Sequence, residues 1–383
     1  MIKAISATTR EIDNVKTAVS EIMDALNPSE NLLKNSLGII SCFSEFEETG
    51  VLQAICGALP FDSIGATTCI CSAGGQTDQI IFSITVLTSD DCRFETVELP
   101  VTEKYAESIN SGLSPLLDRF DKKPALILSY LPLINTISGD MIVTQIDKAT
   151  GGIPLFGTMA VDHKMDYSTA RTIHNGKMHR ESVVLGLIYG PFDYTFEITS
   201  IDENKIRNQK AIITGSDGNI LKSVNGKTAL EYLGEIGIAK AELATGLGIL
   251  PLIVDHHKDT TKPVARAVFA LTPDGHAVCG GAMPVGSTLT IGRVNKDDVL
   301  YSTEKTLKHL IEKKGMILSY SCMARYLALG ADNTAEADML SKTAGDRQYL
   351  FACSGGEICP LPDASGNLRN LFHNYANVFC RIS

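Results

Sequence analysis

Apolar runs alternate with polar, helix-forming stretches along most of the chain, and one order of elements recurs three times. Each copy begins with a short apolar run typical of a buried strand, followed by a polar loop and an amphipathic helix. A second apolar run ends in small or glycine-rich residues ("SAGG", "GTMAVD", "CSGGE"), and a last apolar run closes the copy. The pattern predicts strand-helix-strand-turn-strand units at residues 37–87, 125–190 and 315–382.

The copies also share a few residue identities. The first strand of each copy reaches a serine: Ser41, Ser129 and Ser319. The two later copies each carry a His-Asn pair: His174-Asn175 and His373-Asn374. The spacing between copies is not constant, which excludes a solenoid. We interpret the copies as duplicated α/β units and expect the second and third to superpose.

The rest of the chain suggests how the units are divided into domains. Apolar residues at helical spacing predict an N-terminal helix within residues 1–30. Between the second and third copies, turn signals such as "GSDGN" and "TPDG" separate β-type runs. This change from the repeated strand-helix pattern to strands and turns predicts a domain boundary near residues 205–220. We predict an α/β (α+β) fold in two domains, residues 31–215 and 216–383, with mixed sheets flanked by helices.

Composition and charge narrow the class of function. The hydrophobic fraction of 44% and the charged fraction of 20% are ordinary for a globular protein. A net charge of −10 argues against nucleic-acid binding and against docking on anionic membranes. The most apolar stretch, residues 236–254, is interrupted by Lys240 and Glu242, and the N-terminus lacks the apolar core of a signal peptide. We therefore expect a cytoplasmic location.

The ten cysteines are scattered and form no CxxC pair. Most lie in apolar runs, which is typical of small buried hydrophobic residues in a reducing compartment. We expect no structural disulfide, no structural zinc site, and burial of Cys69, Cys71 and Cys380.

The end of the third copy carries the first candidate for chemistry. In "CSGGE", Gly355 and Gly356 could adopt positive φ and let the backbone approach a ligand, with the Glu357 carboxylate presented to an ammonium group or a hydroxyl. Glu357 could equally mark a polar surface turn. We interpret the segment as the rim of a binding site.

Arg325 is the second candidate, because its planar guanidinium matches a carboxylate. It could instead pair with Glu336 or Asp338 on a helix surface. If Arg325 and Glu357 face one cleft, together they would recognise a zwitterion.

His373, Asn374 and Cys322 complete the candidate site. His373 could contact a ligand, hold a metal or cap a turn, with Asn374 beside it, and Cys322 could be a nucleophile with His373 as its base or a buried structural thiol. Strand ends in repeated α/β units collect at one edge. We therefore predict that Glu357, Arg325, Cys322 and His373 line one cleft.

Several longer segments give the chain a resemblance to a known family. They are "SGDMIVTQIDKATGGIPLFGTMAVD" with "TIHNGKMHRESVVLGLI" in the first half, and "VNGKTALEYLGEIG", "MILSYSCMARYLALG", "GGEICP" and "LFHN" in the second. In this order and spacing they resemble the FIST proteins (F-box and intracellular signal transduction), with an N-terminal and a C-terminal module.

The resemblance implies a stand-alone sensory protein in intracellular signal transduction. It implies a small polar ligand such as an amino acid, no required cofactor, and a protein partner that receives the signal. Some relatives are described as haem-binding sensors of nitric oxide, so His163, His174 and His373 are each possible axial ligands under that alternative. An enzyme using Cys322 or Glu357 is the remaining alternative.

Overall fold

The computed structural model describes residues 1–134, 136–164, 166–237, 250–255 and 262–383. Lys240 and Glu242, the charges that interrupt the apolar stretch, lie outside the described residues. No helix among the described residues is long and apolar enough to cross a membrane.

The first unit contains a leading strand and helix that precede the predicted repeat. Its elements are β1 (Lys3–Thr9), α1 (Val15–Leu26), α2 (Pro28–Asn31), β2 (Asn35–Cys42), α3 (Glu45–Glu48), α4 (Val51–Ala58), β3 (Ser63–Thr67), β4 (Cys71–Ala73), β5 (Gln76–Asp78) and β6 (Phe82–Ser89). The predicted N-terminal helix is present as α1, where the Asn14 side chain accepts a hydrogen bond from the Thr17 amide. Strand β1, which the sequence analysis missed, pairs with β6 and belongs to the same unit.

The second unit repeats this order of elements. Its elements are β7 (Arg93–Pro100), α5 (Tyr105–Leu117), β8 (Leu126–Leu131), α6 (Gly139–Thr150), β9 (Leu155–Met159), β10 (Thr172–His174), β11 (Lys177–His179) and β12 (Ser182–Tyr189). Burial of α6 through Ile142, Val143 and Ile146 reflects its helical apolar spacing, and the helix ends at Gly151 with φ of 71°.

The third unit is interrupted between its leading strand β13 (Tyr194–Thr199) and its leading helix. We call residues 203–294, which lie there, the insert. The described insert contains a short 3-10 turn (Glu203–Lys205), β14 (Ala211–Asp217), β15 (Ile220–Val224), β16 (Lys227–Thr228), α7 (Ala229–Glu235), β17 (Leu252–Asp255), β18 (Val264–Arg266), β19 (Val268–Leu271), β20 (Ala277–Cys279) and β21 (Thr288–Ile291). Its strands differ in length and form one antiparallel sheet. The predicted boundary after residue 215 falls inside β14.

After the insert, the third unit resumes with its own leading helix. The elements are α8 (Lys296–Leu310), β22 (Met316–Cys322), α9 (Met323–Leu329), a 3-10 turn (Gly330–Asp332), α10 (Ala335–Ala344), β23 (Tyr349–Ser354), β24 (Glu357–Pro362), β25 (Leu368–His373) and β26 (Asn377–Ile382).

Three six-stranded sheets have the same construction. Their strand orders are β1-β6-β2-β3-β10-β11, β7-β12-β8-β9-β24-β25 and β13-β26-β22-β23-β4-β5. In each, the first and second strands of the repeat are parallel and the closing strand is antiparallel to the first. The predicted duplication of strand order is confirmed, as is the α/β (α+β) class with mixed sheets flanked by helices.

Each unit gives its hairpin to the sheet of another unit. Hairpin β10-β11 extends the first sheet, β24-β25 extends the second, and β4-β5 extends the third. Two of these sheets therefore combine strands from both predicted domains. The exchange closes a cycle, so the three units are interlocked rather than placed side by side.

The three sheets share one central core, and the helices form outer layers. Apolar side chains from all three sheets meet in a single buried cluster that includes Leu37, Leu128 and Leu318. Tyr130 and Tyr320 lie in the same cluster and satisfy each other's hydroxyl at an O–O distance of 2.8 Å. Separate apolar clusters fill the space between each sheet and its helices.

Register corrects one predicted equivalence. Gly65 and Gly157 occupy matching places in their sheets. A Cβ on Gly65 would lie 2.0 Å from the Ile40 carbonyl oxygen, and a Cβ on Gly157 would lie 1.8 Å from the Ser129 carbonyl oxygen. Ile40 is therefore the counterpart of Ser129, and Ser41 is one residue further along. A shift of one residue turns a strand side chain to the opposite face. Ser41 thus faces the central core, whereas Ser129 faces the helix layer.

The paired His-Asn segments are not equivalent either. His174 and Asn175 lie at the tip of hairpin β10-β11, whereas His373 ends strand β25 and Asn374 follows it on the way into β26. The residue that matches His373 is His179, which ends β11 before β12.

All ten cysteines lie in the described part of the chain and all are free thiols. Cys69, Cys71 and Cys380 are buried, as predicted. Every cysteine except Cys56 is buried, which agrees with their place in apolar runs.

Candidate functional site

Glu357 occupies a special place in the three-unit arrangement. It begins β24, opposite Thr158 of the second sheet and opposite His373 of its own hairpin. The matching first residues of the other two hairpins are Cys71 and Thr172. Only the third hairpin therefore carries an ionisable carboxyl at this junction, and its side chain is fully buried.

The Glu357 carboxyl is incompletely satisfied. Its Oε2 accepts a hydrogen bond from the Ala376 amide at 3.2 Å, while Oε1 is buried without a hydrogen-bond partner among the described residues. Burial raises the pKa of Glu357 well above its usual value, and nearby Ser354, the Ala376 amide and Cys322 only partly oppose that rise. Burial therefore disfavours the ionised form of the Glu357 carboxyl, and one of its oxygens has no hydrogen-bond partner among the described residues.

Arg325 lies next to this group but is engaged elsewhere. It is 1% exposed in α9 and forms an ion pair with Glu336 at 2.8 Å. It also donates to the Thr303 hydroxyl at 2.9 Å and to the Tyr375 carbonyl at 3.4 Å. The alternative pairing with Glu336 is thus the observed one, although it is buried rather than on a helix surface.

The buried charges of Arg325 and Glu336 are each balanced by the other and by hydrogen bonds. Burial alone would raise the pKa of Glu336, but the charge of Arg325 and hydrogen bonds from Arg325, Ser321 and Thr303 hold that pKa below its usual value. A ligand carboxylate could reach Arg325 only by displacing Glu336. The zwitterion pair proposed from the sequence is therefore not preformed.

Cys322 is the N-cap residue of α9 and is 4% exposed. Burial, and then the neighbouring Glu357, raise the pKa of the Cys322 thiol well above its usual value. A thiol in that state is a poor nucleophile, because the thiolate is the reactive form.

His373 and Asn374 hold other groups in place. The buried His373 ring donates from Nε2 to the Cys359 carbonyl at 2.8 Å, and burial lowers its pKa to about 4. Asn374 accepts from the Ala267 amide of the insert at 3.2 Å and donates to the His373 carbonyl. His373 Nε2 is thus directed at the Cys359 carbonyl and not at Cys322, so the alternative of a Cys322–His373 dyad is not supported by this contact.

Gly355 and Gly356 are required for close packing rather than for positive φ. Neither has a positive φ. A Cβ on Gly356 would lie 2.0 Å from the Phe372 ring, and one on Gly355 would lie 3.0 Å from the Ala160 carbonyl oxygen. The predicted glycine turn is therefore a tight crossover between two sheets, with Glu357 at the start of a strand.

The structure brings the four predicted cleft residues close together, but it buries them instead of leaving them open to solvent. Glu357, Arg325, Cys322 and His373 are each at most 4% exposed. The predicted open cleft is thus a buried polar cluster. A surface cleft of about 440 Å³ lies further along β24 and is lined in part by Cys359 of that strand and by Tyr194 and Phe196 of β13.

The insert covers the cluster. Ile253, Ala265 and Ala267 pack against Cys322, Ala324 and Tyr375. Beside this contact, Arg266 donates to the Phe372 carbonyl at 2.7 Å and pairs with Asp140 at 3.3 Å, and Asp140 also accepts from the Ala282 amide. We call the Arg266–Asp140 contact and the Asn374–Ala267 hydrogen bond the cover contacts.

Sequence reasoning missed Asp140, Arg266 and Tyr375 as members of the site. Tyr375 is buried with φ of 57°, an unusual conformation for a residue with a side chain. Asp140 follows the N-cap position of α6, where an acid is common for helix stability alone. Their sequence signals are therefore ordinary, and only the packing of the insert joins them to Glu357.

The possible haem ligands occupy separate surroundings. The exposed His163 ring lies 4.4 Å from the Phe43 ring, and His174 Nε2 contacts the Thr96 hydroxyl at 3.0 Å. Within the described residues there is no group of three or more His, Cys, Asp and Glu side chains that could hold a metal ion.

Comparison with known proteins gives two adjoining matches. The FIST N domain matches residues 36–227, and the FIST C domain matches residues 229–360. The limit between them falls within the insert. No curated protein matches the chain.

Proposed function

Because this chain belongs to the FIST family, we propose that it is a sensory protein that binds a small polar metabolite, such as an amino acid, at Glu357. FIST domains are associated with signal transduction and sensory roles. The finer assignment, to a ligand that carries an ammonium or hydroxyl donor, rests on the chemistry of the buried cluster.

The unused Oε1 of Glu357 is the observation that carries the proposal. Buried polar atoms in native proteins are nearly always hydrogen-bonded, and one left unsatisfied costs about 1–3 kcal/mol. A ligand donor at Oε1 would remove that cost. An ammonium group would also stabilise the ionised carboxylate. A cationic donor would therefore gain both a hydrogen bond at Oε1 and an attraction to the carboxylate charge.

The insert supports the proposal because it gives the buried cluster a route to open. Small-molecule sites occur preferentially where domains meet. The contact includes a small apolar cluster and the cover contacts, which are one hydrogen bond and one ion pair whose side chains are 3% and 15% exposed. Displacement of the insert would expose Glu357 without unfolding a sheet of the three-unit core.

In this proposal Arg325 frames the site and does not contact the ligand. Its guanidinium joins α8, α10 and the Tyr375 backbone through Ser302, Thr303 and Glu336. Haem ligation by His373 would require its ring to leave the Cys359 carbonyl, and nucleophilic catalysis by Cys322 would require an ionised thiol. The contacts of both side chains therefore favour the ligand-binding role. We further propose a cytoplasmic location and a protein partner that receives the signal.

Glu357→Gln should weaken binding of amine-bearing ligands by about 10- to 100-fold, corresponding to roughly 1–3 kcal/mol for a lost charge-assisted hydrogen bond. The ligand is first found by a thermal-shift screen of amino acids and related amines, since a ligand specific for the native state raises the melting temperature. Calorimetric titration then compares the native chain, Glu357→Gln and the exposed-site control Glu304→Gln. Equal affinity in all three would contradict the proposal.

Glu357→Gln should also stabilise the ligand-free protein increasingly as pH rises. Above pH 4.5, the usual pKa of a glutamate, the unfolded chain releases the Glu357 proton, whereas the folded chain retains it because its pKa is raised. The carboxyl therefore lowers the stability of the native protein increasingly as the pH rises from 4.5 to the folded pKa. The stability gained by the variant relative to the native chain should therefore grow as the pH rises above 4.5, until the raised folded pKa is reached. Urea unfolding at three pH values measures the gain, and a difference that is constant with pH would refute it.

A further inference from the structure

Three sulfur atoms meet in the core on the helix side of the third sheet. The Sγ atoms of Cys69 and Cys353 each lie 3.8 Å from the Sδ atom of Met323. The two thiols are also close enough to each other to interact directly. All three side chains are buried, at 3%, 2% and 7% exposure. We call these three atoms the sulfur cluster.

The backbone holds the sulfur cluster in place. Cys69 comes from the crossover between β3 and β4 of the first unit, whereas Cys353 and Met323 belong to the third unit. The Cys353 amide donates to the Ile70 carbonyl at 3.1 Å, and the Thr68 hydroxyl donates to the Cys353 carbonyl at 3.0 Å. Residues on both sides of Cys69 are therefore bonded to Cys353, and the two thiols stay together even though the chain positions are distant.

The two distances of 3.8 Å from the cysteine sulfurs to the Met323 sulfur match those in a trigonal metal site. With metal–sulfur bonds of about 2.3 Å, three sulfurs around one ion stand about 4 Å apart. Two cysteines and one methionine form a soft set, which selects Cu(I), whereas Zn(II) usually takes four ligands in a tetrahedron. We propose that Cys69, Cys353 and Met323 form a binding site for one Cu(I) ion.

Asp162, which follows Val161 of the same apolar layer, is a harder ligand that is already engaged. Asp162 accepts from the Lys164 amide through Oδ1 and from the Thr169 amide and hydroxyl through Oδ2. It would have to break these bonds to complete a tetrahedral site for a harder ion. The sulfur donors alone are left to coordinate the metal.

The surroundings of the cluster suit an ion that must be kept from water. Tyr167 and Tyr326, both half-buried, pack against the same apolar layer as the three sulfurs. The Tyr326 hydroxyl accepts hydrogen bonds from Asn333 and Gln79, which anchors this ring against the apolar layer. Binding needs no redox step, because Cu(I) replaces two thiol protons, which pass to solvent, and accepts the thioether lone pair.

The test is an anaerobic titration of the purified, reduced full-length protein with Cu(I) in competition with a chromophoric chelator. The native chain should bind one Cu(I). Loss of even a supporting residue usually costs 10- to 100-fold in metal affinity, so Cys69→Ala and Cys353→Ala should each lose at least about 100-fold. Met323→Leu should lose about 10-fold, because the thioether is the weaker ligand. X-ray absorption should show three sulfur neighbours in the native chain and two in Met323→Leu.

Cys92→Ala is the matched control, since Cys92 is equally buried but lies outside the cluster, and it should bind Cu(I) as the native chain does. Met323→Leu is nearly volume-conserving, so it should retain the fold if an alanine variant does not. Failure of the reduced native chain to bind Cu(I), or equal affinity in all four variants, would overturn the site. So would isolation of a Cys69–Cys353 disulfide that persists under reductant. None of these results depends on Glu357 or its ligand.

Discussion

Replacing Arg325 with methionine is expected to lower the free energy of unfolding by about 3–5 kcal/mol, the usual effect of removing one partner from a buried ion pair. Glu336 is 1% exposed and would keep its hydroxyl donors but lose its counter-charge. It would either remain ionised in an apolar setting or take up a proton. Urea unfolding at pH 7, with the native chain as reference, measures the loss.

Two further variants show whether the loss comes from the buried charge. Arg325→Met combined with Glu336→Met should recover more than half of the stability, because replacing both partners by apolar residues is often neutral. Arg10→Met removes the exposed pair with Asp78, in which the side chains are 53% and 40% exposed, and should change stability by less than about 1 kcal/mol. Equal losses in Arg325→Met and the double variant would show that packing, not charge, is responsible.

The Arg325→Met loss should also depend on pH. Glu336 has a lowered pKa in the folded protein, so its contribution to stability is present above the unfolded value of 4.5 and is lost as pH falls through the folded pKa. The difference between native and variant chains should therefore be largest near pH 7 and smaller in acid. A loss that grows as the pH falls would contradict this account.

Gly157→Ala is expected to destabilise the protein by about 3 kcal/mol or more, because backbone atoms have little freedom to move away from an added methyl group. The new Cβ would lie 1.8 Å from the carbonyl oxygen of Ser129, and these two residues face each other in the parallel pairing of β8 and β9. Strand β9 also receives hairpin β24-β25, so the strain would reach the strand that begins at Glu357. Thermal and urea unfolding both report the loss.

Gly57→Ala is the control for this variant. Gly57 lies in helix α4 with open space where its Cβ would be, so alanine should leave stability unchanged or raise it by up to about 1 kcal/mol. Gly65→Ala, at the matching place in the first unit, should behave like Gly157→Ala. If Gly157→Ala were as harmless as Gly57→Ala, the strands would have to part more easily than their register implies.

The repeated pattern of apolar runs was sufficient to predict that the second and third units share one order of strands and helices along the chain. This succeeded because strand and helix periodicity are local properties, which depend on neighbours within a few residues. Strand β1 was missed because its residues alternate only weakly between buried and half-buried positions. The register of Ser41 was wrong by one residue, since no local signal separates two adjacent small or polar positions in a buried strand.

The sequence by itself determined the fold class, the burial of the cysteines and the chemical types gathered near the end of the third unit. Only the tertiary structure decided that hairpins are exchanged among the three units, that Arg325 is neutralised by Glu336, and that the insert closes over Glu357. These are contacts between residues far apart in the chain. Their energies depend on burial and on which opposite charge or hydrogen-bond donor lies within a few ångströms. The spacing of residues along the chain reports neither the burial nor the partner.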